Sequence, residues 1–406
     1  MQVTKPKPAA VKPVAPARRR LMSLDVFRGA TIASMMLVNN PGTWNAIYPQ
    51  LDHAEWNGWT FTDVIFPFFI WIAGVAVPLS TAKRLERGET RATLFTHALR
   101  RAVILFALGF FLAFFSYLIN GSYAKAGGFS PWFADIGANI RIMGVLQRIA
   151  ICYLVATTIF LSTRLRGQIT SLIALLAGYW LLMKLVPVPG HGAGVLTKDG
   201  NFSAYVDQIV LGQHTWHALP WDPEGIVSTL PAIATCLFGI LTGQLLLIKR
   251  SVEQKTGWLF TAGNLLMLAG AVMNIWLPIN KNLWTSSYSV FMAGLAMNVF
   301  AVLYWLIDVK GHERWARPFA IYGLNAITVF MLSGLIGRVL LEIKVTDAAG
   351  QNVALKNYLF ETFFNAPLSR LGLDAKLCSL SWAVAFMLFL YLVAYVMHRR
   401  KWVLKL

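Results

Sequence analysis

His53 stands in a run of acidic, amide and aromatic residues, Leu51-Asp52-His53-Ala54-Glu55-Trp56-Asn57-Gly58-Trp59, ten residues ahead of Asp63. A neutral imidazole can take a proton or attack a thioester at ordinary pH. A hydrogen-bonding partner decides which ring nitrogen stays free, and Asp52, Asp63 and Asn39 are the candidates for that part. An isolated loop histidine is more often merely solvated, so residue type and position alone do not make His53 catalytic.

Other polar residues fall inside or at the ends of apolar runs. Asp25, Arg28, Asn39 and Asn40 lie in one run, Asp63 opens the next, and Gln147 and Arg148 lie in a third. Ionisable groups at that depth are costly unless paired or functional. Asp25 and Arg28 are three apart, so a contact within one helix satisfies both. Asp222 and Glu224, in Trp221-Asp222-Pro223-Glu224-Gly225, precede another run and can simply complement its helix dipole. Asn280, Lys281 and Asn282 form a dense polar turn that ordinary loop polarity also explains. His214 and His217 with Asp207 lack a third histidine and make a poor metal set. The glycine-rich stretch 190–194 lacks the Lys-Ser/Thr and the strand-to-helix context of a phosphate loop. No metal is expected.

The elements that must position these residues are membrane helices. Of the 406 residues, 57% are hydrophobic and only 13% charged, against about 25% charged in a soluble domain. Ten apolar runs, near 24–40, 61–82, 101–119, 142–162, 168–187, 226–248, 257–277, 285–307, 319–340 and 377–397, are each long enough or nearly so to cross a bilayer. The expected fold is all-α, a polytopic bundle of about ten transmembrane helices over 24–397. A disordered basic tail is expected at 1–23, which lacks the apolar core of a signal peptide, and a basic C-terminus at 398–406. The three cysteines each sit singly inside an apolar run, which argues against disulfides and zinc.

The formal charge of +18 does not point to nucleic acid, because the basic residues lie in short groups between apolar runs. Segments on the side of the N-terminus hold 24 Lys and Arg, and those on the other side hold 9. The positive-inside rule then places both termini in the cytoplasm and the longer loops, with His53, outside. The bilayer, most simply a bacterial inner membrane, is the expected surroundings. Homo-oligomerisation is left open by the sequence.

The strings SLDVFRG, LVNNPG, HAEWNGWTFTDVIFPFFIWIAG, GVLQR, DPEGI, NKNLW and LIDVKG occur in order over 23–311, with a weaker YGLNAI at 322–327. Together they resemble the heparan-α-glucosaminide N-acetyltransferase family of membrane acyltransferases, in the form expected of a bacterial member without the lumenal domain. The resemblance implies an enzyme that takes acetyl from cytosolic acetyl-CoA and delivers it to the amine of a terminal glucosamine or related amino sugar across the membrane. It places the family's active histidine on His53 and its accompanying asparagine on Asn39. Through GVLQR, DPEG and NKNLW it also implies that Gln147 and Arg148, with Arg28, meet the donor. Asp63, Trp56, Asn57, Asp222, Glu224, Asn280, Lys281 and Asn282 then belong to the acceptor side or support the site. Basic residues at inner helix ends, Arg28 with Lys83, Arg84, Arg100 or Arg101, suit the donor phosphates. An acetyl-imidazole intermediate and direct attack of the amine are both compatible with these residues. The competing reading is an amino-sugar transporter that uses the intramembrane polar residues as its substrate site.

Overall fold

The structure, a computed structural model, describes residues 21–347 and 350–403. Most of the expected tail at 1–23 and the last three residues of the expected basic C-terminus lie outside these residues. In chain order the helices are α1 (Met22–Asn39), α2 (Phe61–Leu85), α3 (Arg91–Ile119), α4 (Ser122–Ala126), α5 (Phe129–Asn139), α6 (Val145–Ser162), α7 (Leu165–Leu185) and α8 (Phe202–Val210). They continue as α9 (Thr229–Leu247), α10 (Val252–Met273), α11 (Ser286–Leu303), α12 (Arg317–Leu324), α13 (Ala326–Glu342), α14 (Leu355–Phe360), α15 (Ala366–Arg370) and α16 (Ala375–Arg399). Strands β1 (Lys344–Thr346) and β2 (Asn352–Ala354) form a small antiparallel hairpin, with Val345 opposite Val353.

The fold is all-α and polytopic, as expected, and each of the ten apolar runs is helical. Among the described residues eight helices are long and apolar enough to cross a membrane, and α12 with α13 makes a ninth if that pair, bent by 76°, is one span. The helix α1 is not among them; its 18 residues include Asp25, Arg28 and Asn39. The break in the run expected at 319–340 falls at Asn325, whose φ of −119° and ψ of 34° leave the helical region. The run expected from 101 begins instead at Arg91, because Thr90 caps that end by accepting from the Thr93 N–H. Charged residues on a helix facing a membrane edge do not end it.

Helices α2, α9 and α11 are mostly buried, and α3, α7 and α10 expose most of their length. The exposed side chains on the outer helices are apolar, among them Val103, Leu118, Ile173, Leu185, Leu265 and Leu268. Such a surface suits a lipid solvent, in which helices satisfy their own backbone. The centre of the bundle is aromatic: Trp71 lies 6.0 Å from Phe27 and 5.6 Å from Phe300, and Trp284 lies 5.0 Å from Phe66 and 5.3 Å from Tyr288. Close approach of α2 and α9 depends on glycine. A Cβ on Gly74 would lie 2.1 Å from the Cys236 carbonyl oxygen, and one on Gly239 would lie 2.1 Å from that of Trp71. This packing fixes α2, and with it the carboxylate at its first turn.

Candidate active site

Asp63 is the third residue of α2, and its carboxylate reaches back over the helix start. Its Oδ2 accepts the Thr60 N–H and the Ala54 N–H, each at 3.0 Å, in the manner of a capping box. The Tyr288 hydroxyl, from α11, donates to the Asp63 backbone carbonyl at 2.5 Å. With Oδ2 so engaged, Oδ1 is aimed at His53 Nδ1, 2.6 Å away. A carboxylate only accepts, so Nδ1 carries a proton, and in the neutral tautomer Nε2 keeps an in-plane lone pair. Asp63 is sealed at 1% side-chain exposure while His53 is 46% exposed, so the carboxylate is dry and the imidazole ring reaches solvent. Of the three partners the sequence left open, Asp52 holds only the His53 backbone N–H. Asn39 ends α1 with its side chain exposed, and among the described residues no hydrogen bond joins it to His53.

The turn between α10 and α11 closes on the same point. Asn280 organises it: its Oδ1 accepts the Leu283 N–H at 2.9 Å, its Nδ2 donates to Asn57 Oδ1 at 3.2 Å, and the Gly58 N–H donates to the Ile279 carbonyl at 2.7 Å. Trp284 within this turn has φ +48° and is fully buried. A bulky residue in that region is strained, and packing against Phe66 and Tyr288 holds it there. The turn delivers Lys281, whose Nζ lies 3.0 Å from His53 Nδ1, 3.1 Å from Nε2 and 3.7 Å from Asp63 Oδ1. In the ring plane an equidistant position is occupied by Cε1–H, so the ammonium sits against the ring face and leaves the Nε2 lone pair open. Burial lowers the Lys281 pKa, against the opposing pull of Asp63 and Glu224. No hydrogen bond joins Asn282 to this cluster among the described residues.

Asp222 and Glu224 are not free to cap α9. Arg141 Nε and Nη2 bind the two Asp222 oxygens at 3.0 and 2.6 Å, and Nη2 also meets Glu224 Oε2 at 2.5 Å. Burial alone would raise the Glu224 carboxyl, but Arg141, Arg148 and Lys281 bring it below the usual carboxylate range. Asp207, weighed above as a metal ligand, instead accepts the Ile226 N–H at 2.9 Å and the Asp222 N–H at 3.3 Å. A Cβ on Gly225 would lie 2.0 Å from the Asp207 carboxylate, which explains the glycine in DPEG. Burial pushes Asp207 up to about 6. Trp56 donates to the Leu196 carbonyl at 2.8 Å and packs on Trp221 at 5.3 Å, so it ties the His53 loop to the next loop.

Arg148 is fully buried. Its Nη2 donates to the Gly225 carbonyl at 3.0 Å and to Ser228 Oγ, its guanidinium lies 5.2 Å over the Trp284 ring, and its Nε and Nη1 have no hydrogen-bond partner among the described residues. Gln147 is buried with its Oε1 against Gly109 of α3. Arg28 pairs with Asp25 at 3.4 Å, the local contact that three-residue spacing allows.

At the far end of α2 a cavity of about 350 Å³ opens between α2, α3 and α6, and Arg84, His97, Arg100 and Arg101 line it. Arg101 lies 4.9 Å over the Tyr153 ring, with its Nε unpartnered. Neither Arg28 nor Arg148 lines this cavity. Arg148 is five residues before Tyr153 on α6, about 8 Å away from the cavity along the axis.

A catalytic-type imidazole at one end of a polytopic bundle and a basic cavity at the other suit a group transfer across a membrane. The family model described as heparan-alpha-glucosaminide N-acetyltransferase, catalytic, matches residues 20–277. The chain belongs to that family. The heparan-alpha-glucosaminide N-acetyltransferase of Homo sapiens is 30% identical over 367 residues, covering 77% of this chain and 52% of the human protein. That of Mus musculus is 28% identical over 364 residues, covering 77% and 53%. The chain thus spans about half the length of the curated relatives it matches. In this member of the acetyltransferase family the match includes Asn39, His53, Asp63, Gln147, Arg148, Asp222 and Glu224, and it ends before Lys281.

Residues missed from the sequence are Arg141, Thr60, Tyr288 and Asp207. Arg141 had a signal: with Lys125 it supplies all the basic charge of the loop 120–141, which precedes a span holding a second arginine. Thr60 had one too, three residues before Asp63 at a helix start.

Proposed function

We propose that the protein is an acetyl-CoA-dependent acyltransferase of the membrane that delivers acetyl to the amine of a glucosamine or related amino sugar, with His53 as nucleophile or general base. The observation that carries this reading is the buried Asp63 carboxylate holding Nδ1 of the half-exposed His53 at 2.6 Å, an arrangement whose neutral tautomer offers the Nε2 lone pair. Family membership supports the reaction class, as does the basic cavity at the opposite end of α2. Val77, which lines that cavity, is fourteen residues from Asp63, about 21 Å along the helix. That is the order of length an extended phosphopantetheine arm covers, so the donor's nucleotide can stay at one end while its thioester reaches the other. Arg148, with two unpartnered nitrogens, is suited to a carbonyl of the arm or thioester. Asn39, the asparagine that the family resemblance pairs with His53, is proposed as the oxyanion donor.

The test of this reading is mass detection of N-acetylated glucosamine after purified protein meets acetyl-CoA. Vesicle uptake of the sugar with no consumption of acetyl-CoA would replace the enzyme by the transporter.

Donor phosphates are assigned to Arg84, Arg100 and Arg101, which line the cavity, in preference to Arg28, which does not. Arg100→Ala and Arg101→Ala should each weaken acetyl-CoA binding about tenfold or more, and wild-type affinity should fall with salt. Titration calorimetry showing unchanged affinity in both variants would remove the nucleotide from this cavity.

We also place the cavity in the cytoplasm and His53 outside, in a bacterial inner membrane, on the 24 to 9 basic asymmetry. The three native cysteines are buried, so introduced ones report cleanly. Cysteines at the exposed positions Asn139 and Lys198 should react with an impermeant thiol reagent from outside, and ones at Arg87 and Arg314 should not. The reverse pattern would invert the direction of transfer.

A further inference from the structure

Breaking the donor's C–S bond releases a thiolate, a basic leaving group that departs more readily with a proton. As nucleophile His53 has no proton to give, and as base it gains one only as the amine attacks, on the nitrogen turned toward that amine. Arg141 and Arg148 do not deprotonate at functional pH. The Tyr288 hydroxyl is committed to the Asp63 carbonyl. Among the described residues within reach of the imidazole, Lys281 is the group left with a transferable proton, 3.1 Å from Nε2.

We infer that Lys281 is a second catalytic residue, the general acid that protonates the departing CoA sulfur. The inference rests on the acyltransferase reading above. In direct transfer the amine nitrogen bonds to the acetyl carbon and its N–H proton goes to His53 Nε2. The C–S bond breaks, its electron pair goes to sulfur, and a Lys281 Nζ proton completes the thiol. His53, 46% exposed, then loses its proton to solvent and neutral Lys281 regains one from solvent, so both groups are reset. In the acetyl-imidazole route His53 Nε2 attacks, the same Lys281 proton goes to sulfur, and neutral Lys281 then takes the proton of the amine that attacks the acyl group. Either way the products are amide and thiol, with no proton gained or lost from the neutral amine.

The position of Lys281 against the ring face fits this role. It leaves the Nε2 lone pair clear for the attacking step and places the ammonium on one side of the reacting carbon, beside the sulfur's exit. The same charge is held by Asp63 Oδ1 at 3.7 Å, so its place does not depend on a bond to the imidazole. Burial, which lowers the ammonium pKa from the ordinary amine range, brings its acidity toward that of a thiol.

The test compares two donors with glucosamine as acceptor: acetyl-CoA, and an acetyl thioester of a nitrothiophenol, whose thiolate leaves without a proton. Lys281→Met should lose about 10²–10³-fold in kcat with acetyl-CoA and less than about fivefold with the aryl thioester. Lys281→Arg, which keeps the charge but not the transferable proton, should resemble Lys281→Met. The wild-type protein should show a solvent deuterium isotope effect on kcat with acetyl-CoA that shrinks with the aryl thioester, a readout that needs no variant to fold. Equal losses with both donors, near-wild-type turnover by Lys281→Arg, or equal isotope effects would each overturn the assignment while leaving the acyltransferase reading intact. Wild-type protein that acetylates no amino sugar from either donor would overturn both.

Discussion

Purified His53→Ala protein is expected to transfer acetyl to glucosamine at least about 10²–10⁴-fold more slowly than wild type, while binding acetyl-CoA with unchanged affinity. Removing the imidazole eliminates nucleophile and base together, and neither role has a substitute nearby. Arg84, Arg100 and Arg101, proposed to hold the phosphates, line a cavity at the other end of α2 and do not touch His53. The loop that carries His53 should survive. Ala54 and Thr60 N–H groups still bind Asp63, and the Thr60 hydroxyl still donates to the Asp52 carbonyl. Wild-type protein incubated with donor alone separates the two routes, since an acetyl-imidazole adds a labile acetyl mass and direct transfer adds none. Turnover by His53→Ala within tenfold of wild type would remove the histidine from the chemistry.

Much of the scaffold was legible because a bilayer imposes a coarse rule, apolar runs of about twenty residues, and all ten runs are helices. Where boundaries moved, a local device moved them. Thr90 caps α3 eleven residues before the apolar run begins, and Asn325, two residues after Gly323, breaks the run between α12 and α13. The site was legible as residue types but not as pairings. Asp63 and His53 are ten apart, and only the capping geometry at the start of α2 makes that carboxylate, and not Asp52, the partner. Lys281 is 228 residues from His53, and nothing periodic in sequence links a loop after one span to a loop before another. Asp222 and Glu224 read equally well as dipole partners, because their true partner, Arg141, comes from a loop about eighty residues earlier. Asp207, near two histidines but a poor metal ligand by spacing, had no assigned role in the sequence, and it holds two backbone N–H groups.

Asp63→Asn should abolish most activity without unfolding the protein. The carboxylate accepts two backbone N–H groups on Oδ2 and the imidazole on Oδ1. An asparagine has one accepting oxygen and one donating amide. Pointing the amide at the Ala54 and Thr60 N–H groups would set donor against donor twice at a buried site, so the oxygen takes that side and keeps the loop anchored. The amide then faces His53 Nδ1 and donates to it, which forces the proton onto Nε2 and removes the lone pair that attacks. The same amide also faces the Lys281 ammonium, donor against donor. The expected result is a fall in kcat of about 10³–10⁴-fold, as for the loss of an orienting carboxylate behind a catalytic histidine. Acetyl-CoA affinity should be unchanged and the melting temperature should move only a little. On the acyl-enzyme route no acetyl increment should form on Asp63→Asn protein. Activity retained within tenfold would mean that Asp63 only caps α2, and that the tautomer of His53 is set by some other group.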